Sequence, residues 1–332
     1  MTSNPTVGVV DVGRLGTLRR LSRLADRDGF MCVAAIDHPE NYLALFDSDI
    51  SRVPHETVVA SKLELVAEMS RHASALLLDP VWSLGQSVLT GDLPGSVGLI
   101  APIERLEYAP GTRLGWNRDV RPRPGWGPER IAAAGADAAK FILFYRAELT
   151  DVAAAQRELV AGLAADCHEH RLPLIVEPIW YPLDGEDPAD DRVRRARAEA
   201  IVAAAAEFAA AGADVLKVQF PGDEGAAREL DAALSVPWVL LSEGAGFDDF
   251  AVQMEICAKA GASGYIAGRA VWGDAVGPLP DAQRRAAVAR AGERLAKLNA
   301  IVRAHGRPFR ERLPVAEATA ALPPEWYRSD PR

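Results

Sequence analysis

The sequence predicts an α/β protein built as a (β/α)8 barrel, or TIM barrel, and two observations lead to this fold class. Eight short apolar segments, mostly alternating with amphipathic helical segments, run along the 332 residues, as in a closed parallel sheet. No linker or low-complexity block divides the chain, so we expect one domain over residues 1–332, with a core at about 30–304 and a C-terminal extension at 305–332. An open doubly wound sheet is the alternative, but no Gly-x-Gly-x-x-Gly motif follows the first strand.

Each predicted strand is a short apolar run bounded by turn or polar residues. In order, the strands lie at residues 31–37, 75–80, 97–103, 138–145, 172–179, 213–220, 238–244 and 264–269. The predicted helices have leucine or alanine at helical spacing between charged residues, at 14–29, 56–72, 129–135, 151–170, 192–211, 247–260 and 281–304. Residues 107–128, rich in Gly, Pro, Trp and Arg, predict a long loop, and the tail from residue 307 predicts an extension that is packed outside or loosely ordered.

Composition limits the classes of partner and the compartment. The formal net charge of -9 disfavours binding to nucleic acid or to an anionic membrane, so we expect neither as a partner. The three cysteines are widely spaced, which suggests neither a disulfide framework nor a zinc cluster, and we expect no metal and no cofactor. No run of eighteen apolar residues and no signal-like N-terminus is present, so we expect a cytoplasmic location. The sequence leaves open whether the chain forms a homo-oligomer.

Lys217 lies in the middle of an apolar strand, on the same face as Val215 and Gln219. Burying an unpaired ammonium group is costly or lowers its pKa, and a desolvated lysine amine is the usual nucleophile in Schiff-base chemistry. The alternative is a structural lysine that pairs with a buried carboxylate or extends to solvent at the strand end. Lysine is scarce in this chain, which favours a nucleophilic role for Lys217 over a structural one. The lysines are Lys62, Lys140, Lys217, Lys259 and Lys297.

Active sites of this fold lie at the C-terminal ends of the strands, and polar residues there are the candidates. Those residues are Asp37, Asp79, Lys140, Glu177, Lys217 and Arg269. Asp79 precedes a proline and could simply cap the following turn, as could Asp37 before His38-Pro39. Lys140 and Glu177 have a structural ion pair as their alternative explanation. Together Lys217, Lys140, Glu177 and Asp37 would bring two amines and two carboxylates into one enclosed space. A Schiff-base enzyme needs a neutral amine, an acid and a base, and such a cluster supplies them.

The ends of the seventh and eighth strands predict a site for an anionic group. Ser242 and Gly244 follow the seventh strand, and Gly268 and Arg269 follow the eighth. Glycine amides and an arginine in these two loops are a common phosphate site of the fold. Tight-turn glycines with a surface arginine are the alternative explanation.

These residues and their flanking motifs resemble the class I tagatose-bisphosphate aldolase family, which includes sulfofructose-phosphate aldolases. The matching stretches are ALLLDP at 75–80, AAKFILFY at 138–145, LIVE at 174–177, DVLKV at 214–218, LS at 241–242 and GRAVW at 268–272. The resemblance covers about residues 15–280 and implies a barrel-shaped, metal-independent aldolase. It implies that Lys217 forms the Schiff base beside Lys140 and Glu177, that Asp37 is the acid of the first strand, and that Ser242 and Arg269 hold a phosphate or sulfonate.

Two departures from the family pattern leave the sugar open. The first strand continues with His38, Pro39 and Glu40 where family members have Gln-Arg, and Gln219-Phe220 replaces an acidic continuation after the lysine.

We therefore expect reversible retro-aldol cleavage of a phosphorylated or sulfonated ketose to an aldehyde and a three-carbon ketone of the dihydroxyacetone phosphate type. The alternatives are a barrel that binds a sugar phosphate without catalysis, and another Schiff-base enzyme of the dehydratase or transaldolase kind.

Overall fold

The fold is a closed barrel of eight parallel strands, in the order β1-β10-β9-β8-β7-β6-β3-β2, which confirms the predicted fold class. The computed structural model describes residues 12–37, 39–105, 120–310, 312–322 and 324–328. The barrel strands are β1 Met31–Ile36, β2 Ala75–Leu78, β3 Gly98–Pro102, β6 Ala138–Phe144, β7 Leu174–Ile179, β8 Val215–Val218, β9 Trp238–Leu241 and β10 Gly264–Ala267. Each of them lies within a segment that the sequence predicts as a strand.

Helices surround the barrel, and five of the twelve described ones were not predicted. The helices are α1 Val12–Leu24, α2 Pro39–Leu43, α3 His55–Met69, α4 Leu84–Thr90, α5 Pro128–Ala133, α6 Thr150–Glu169, α7 Asp191–Ala210, α8 Glu224–Ala233, α9 Phe247–Ala260, α10 Arg269–Trp272, α11 Asp281–His305 and α12 Val315–Ala321. The helices without a predicted counterpart are α2, α4, α8, α10 and α12, and all of them except α8 are only four to seven residues long. Within the described part of the chain, no helix is long and apolar enough to span a membrane.

A short ladder pairs the segment before the predicted long loop with residues inside that loop, and the C-terminal extension begins on the barrel's outer surface. β4 (Glu104–Arg105) pairs antiparallel with β5 (Arg121–Pro122); residues 106–119 lie outside the described residues. In the extension, the amide of Phe309 donates to the carbonyl of Gly29 at 2.9 Å. This agrees with the prediction that the tail packs outside, while the assignment of the whole chain to one domain stays a prediction.

Strand alternation separates the barrel interior into an apolar layer and a polar end. The buried residues that pack together inside the barrel come from alternate strand positions: Met31, Val33, Ala35, Ala75, Leu77, Ile100, Ala138, Ile175, Val215, Val239 and Ile266. Lys140, Glu177 and Lys217 each stand two residues beyond a member of this layer, on β6, β7 and β8. Because alternate side chains share a face, these three point into the barrel at its C-terminal end.

Candidate active site

Lys140 is at the centre of a buried cluster of charged side chains. Its Nζ lies 3.2 Å from Oδ2 of Asp37, 2.6 Å from Oε1 of Glu104 and 2.9 Å from Oε2 of Glu177. The lysine is fully buried and the three carboxylates are at most 4% exposed. β1 and β6 are not neighbours in the sheet, so the contact with Asp37 runs across the barrel interior.

Glu177 joins the two lysines. Its Oε1 lies 2.8 Å from Nζ of Lys217, and its Oε2 faces Lys140. The three residues stand on the consecutive strands β6, β7 and β8. One carboxylate thus contacts both amines, and a proton taken from Lys217 would be held beside the Lys140 cation.

Glu104 is a member of the cluster that the sequence analysis missed. It begins β4, immediately before the predicted loop, and is 3% exposed. Its position was available from strand alternation, because Glu104 stands two residues beyond Pro102, which follows the inward Ile100 by two. The predicted third strand ended at residue 103, so Glu104 was not among the candidate site residues.

Burial and charge act in opposite directions on the members of this cluster. Burial disfavours the charged form of Lys140, but Asp37, Glu104 and Glu177 outweigh it and hold its pKa well above the ordinary lysine value. Burial raises the pKa of Glu104, more than the neighbouring Lys140 lowers it, and Asp37 adds to the rise. Lys140 is therefore a fixed cation, and Glu104 is a carboxyl group biased towards holding a proton.

The structure brings the four predicted anion-binding residues together at the ends of β9 and β10. The amide of Gly268 donates to Oγ of Ser242 at 3.4 Å, a long hydrogen bond. Gly244 has a φ of +77°, and a Cβ at this position would lie 3.5 Å from Nη2 of Arg269. Ser242 is buried and Arg269 is exposed, so the guanidinium lies over the loop at the rim of the barrel.

A tryptophan fixes the short helix that carries Arg269. Nε1 of Trp272, at the end of α10, donates to the carbonyl of Ala35 at 2.8 Å. Its ring centroid lies 5.3 Å from that of Tyr42 on α2. The position of Arg269 is thereby tied to β1, the strand that leads to Asp37.

Asp79 is not part of the cluster and caps a turn, as its position before Pro80 predicts. Its Oδ1 accepts hydrogen bonds from the amides of Val81 and Trp82 at 2.9 and 2.8 Å. Its Oδ2 pairs with the buried Lys62 at 2.5 Å. This second buried lysine–carboxylate pair therefore lies between α3 and the end of β2.

Of the residues that depart from the family pattern, the structure describes Pro39, Glu40, Gln219 and Phe220, whereas His38 lies outside the described residues. Glu40 belongs to α2. Gln219 is 1% exposed and makes hydrogen bonds at the barrel mouth.

Among the described residues, no group of three or more His, Cys, Asp and Glu side chains has the geometry of a metal site.

Two buried amines that share a carboxylate, at the C-terminal end of a (β/α)8 barrel, define a site of the Schiff-base type. Residues 32–274 match the model of the DeoC/LacD family aldolases, and this chain belongs to that family. It is an aldolase, a carbon–carbon lyase of the class I type.

Curated relatives cover most of the chain at modest identity. Tagatose 1,6-diphosphate aldolase 1 of Enterococcus faecalis is 26% identical over 296 residues, which are 82% of this chain and 88% of the relative. Tagatose 1,6-diphosphate aldolase of Streptococcus pneumoniae is 25% identical over 325 residues, 89% of this chain and 97% of the relative.

Solved structures show the same fold. An archaeal fructose 1,6-bisphosphate aldolase superposes with a TM-score of 0.59 at 20% identity, covering 86% of this chain and 98% of the other. A Schiff-base-forming fructose-1,6-bisphosphate aldolase gives a TM-score of 0.57 at 21% identity, covering 86% and 99%.

Proposed function

We propose that this enzyme cleaves a phosphorylated ketose through an imine formed on Lys217. The observation that carries the proposal is the 2.8 Å contact between Nζ of Lys217 and Oε1 of Glu177 inside a buried cluster. A carboxylate at this distance can take a proton from the amine and return it to a leaving hydroxyl. The names of the relatives, tagatose 1,6-diphosphate aldolases, support a phosphorylated ketose as the substrate class.

In the first half of the reaction, the neutral amine of Lys217 attacks the ketose carbonyl and forms a carbinolamine. One N–H proton passes to the carbonyl oxygen as the amine adds. Glu177, which holds the proton it took from the Lys217 ammonium before the attack, gives that proton to the resulting hydroxyl, which leaves as water and yields the protonated imine. Lys140, a fixed cation 2.9 Å from Glu177, holds that carboxylate in place and favours its ionised form between proton transfers.

In the second half, the carbon–carbon bond breaks and its electron pair moves into the imine to give an enamine. The proton of the hydroxyl at the cleaved bond passes to a carboxylate, Glu177 by preference, and the aldehyde leaves. A proton then returns to the enamine carbon, and water hydrolyses the new imine to release a three-carbon ketone and the free lysine. Asp37 reaches the same Lys140 from across the barrel and is the acid at the opposite wall.

The far end of the substrate is proposed to be a phosphate or sulfonate bound by Ser242, Arg269 and the amides of Gly244 and Gly268. The topology supports this assignment, because β10 lies two strands from β8. A short sugar can span this distance with its carbonyl at Lys217.

We also propose a cytoplasmic location. All three cysteines, Cys32, Cys167 and Cys257, are buried and free, as in proteins of a reducing compartment.

Trapping with borohydride tests the role of Lys217. Incubation with dihydroxyacetone phosphate and borohydride should add the reduced ketone to one lysine, and peptide mass analysis should find it on Lys217. Lys217→Met should abolish the adduct, whereas Lys62→Met, which changes a buried lysine outside the cluster, should retain it. An adduct on another lysine would disprove the assignment. Product analysis with a panel of ketose phosphates separates aldol cleavage from dehydration, group transfer and binding without turnover.

A further inference from the structure

Gln219 stands two residues beyond Lys217, immediately after β8, and its amide connects the ends of three neighbouring strands. Its Oε1 accepts a hydrogen bond from the amide of Trp180 at 2.7 Å, and its Nε2 lies 3.3 Å from the carbonyl of Trp180. The same Nε2 donates to Oε1 of Glu243 at 2.5 Å. Trp180 follows β7, which carries Glu177, and Glu243 follows β9.

The partners fix which end of the Gln219 amide is oxygen and which is nitrogen. A backbone N–H needs an acceptor, and the carboxylate of Glu243 and the carbonyl of Trp180 both need a donor. A glutamate at position 219 could accept from Trp180 but could not donate to Glu243. It would place two carboxylates face to face at hydrogen-bond distance, where both cannot be ionised at low cost.

The segment held by this hydrogen bond is the loop of Ser242 and Gly244, which is proposed to bind the anionic group of the substrate. Glu243 lies between Ser242 and Gly244, and its φ of +47° is in the left-handed region, which a residue with a Cβ rarely adopts. Such a conformation persists where surrounding contacts impose it. Arg197 on α7 supplies a further contact, because its Nη2 lies 2.8 Å from Oε2 of Glu243 and its Nη1 donates to the carbonyl of Phe220.

We infer that Gln219 is a positioning residue that holds the loop of Ser242 and Gly244 in its anion-binding shape, at a fixed distance from Lys217. Gln219 joins the strand of the nucleophile to the loop of the anion site through Glu243. This inference rests on the proposed function, because it assumes that Lys217 and that loop bind the two ends of one substrate.

The inference predicts a defect that depends on the phosphate. In Gln219→Glu, half-saturation of borohydride trapping with dihydroxyacetone phosphate should rise about tenfold, the effect of one charge-assisted hydrogen bond. Half-saturation with neutral dihydroxyacetone should stay near the wild-type value. The defect should grow from pH 5.5 to pH 8, because the repulsion between the two facing carboxylates increases as their shared proton is lost.

Exchanging the hydrogen-bond donor and acceptor between positions 219 and 243 should restore the binding of dihydroxyacetone phosphate. In the double variant Gln219→Glu with Glu243→Gln, the donor and acceptor change sides, so most of the affinity for dihydroxyacetone phosphate should return. Gln156→Glu is the matched control, because Gln156 donates to the carbonyl of Phe144 at 2.9 Å on the outer side of the barrel. It makes the same chemical change and should leave both half-saturation values unchanged.

Three results would overturn the inference: equal defects with both ketones, no recovery in the double variant, or a wild-type value for Gln219→Glu. If Gln219→Glu does not fold, Glu243→Ala at the exposed partner should show the same phosphate-dependent loss. Calorimetric binding of dihydroxyacetone phosphate needs no imine. It therefore separates failure of this inference from failure of the Schiff-base proposal, which would show as no wild-type adduct on Lys217.

Discussion

Replacing Lys140 with methionine tests whether its positive charge stabilises the buried cluster. The substitution removes an amine that lies 3.2, 2.6 and 2.9 Å from Asp37, Glu104 and Glu177. Methionine is unbranched and fills most of the same space, so the change removes charge with little loss of packing.

Breaking a buried ion pair on one side costs about 3–5 kcal/mol, because it leaves an uncompensated charge in the interior. Three carboxylates lose a partner in Lys140→Met, so we expect the free energy of unfolding to fall by the upper part of that range, about 4–5 kcal/mol, at pH 8. The loss should shrink on acidification. Burial already raises the pKa of Glu104 in the wild type, and without Lys140 the pKa of the folded-state carboxyl groups rises further.

The sign of the pH dependence follows from that raised pKa. A carboxyl group with a raised folded-state pKa stabilises the fold while it is protonated, below its unfolded pKa of about 4.3. That stabilisation is lost as the pH rises through the folded-state value. The difference in stability between wild type and Lys140→Met should therefore be smaller at pH 5 than at pH 8.

Urea unfolding at the two pH values measures this difference, and Lys62→Met is the control. Lys62 is also fully buried, but its partner Asp79 keeps hydrogen bonds from the amides of Val81 and Trp82 and from Ser83. Its loss should therefore depend less on pH than that of Lys140→Met. A loss in Lys140→Met that is the same at pH 5 and pH 8 would refute the electrostatic account and assign the contribution of Lys140 to packing.

Two further predictions concern the anion site and a surface pair. Arg269→Ala should raise KM for phosphorylated ketoses by roughly tenfold to a hundredfold, with little change for neutral ones; Arg228→Ala on α8 is the control. An unchanged preference for the anionic substrate would make Arg269 structural, and His38 and the arginine-rich loop at 113–130 would then be the next candidates for the anion site. The hydrogen bond to Asp214 raises the pKa of His168, so this pair stabilises the fold below about pH 6.5 and ceases to do so as the pH rises through the folded-state value. His168→Gln should therefore lower the melting temperature more at pH 5.5 than at pH 8.5, unlike His170→Gln, and equal losses at both would contradict this.

Local sequence patterns are sufficient to predict the barrel and the inward direction of its lysines. Apolar strand segments and the period of two are local properties, which can be read without knowing what a strand pairs with. They placed Lys140, Glu177 and Lys217 on one face of three strands, and the family motifs agreed. The same rule would have reached Glu104 if the third strand had been extended by one residue.

The contacts between these groups could not be predicted from local patterns, because strand order and barrel closure are non-local. Asp37 meets Lys140 only because β1 and β6 face each other across a closed barrel. The bond from Gln219 to Glu243 likewise depends on β8 and β9 ending side by side. The alternation of residues along a strand shows which side chains point into the barrel. The pairing of their charges, and hence their pKa values, depends on neighbours that are distant in sequence.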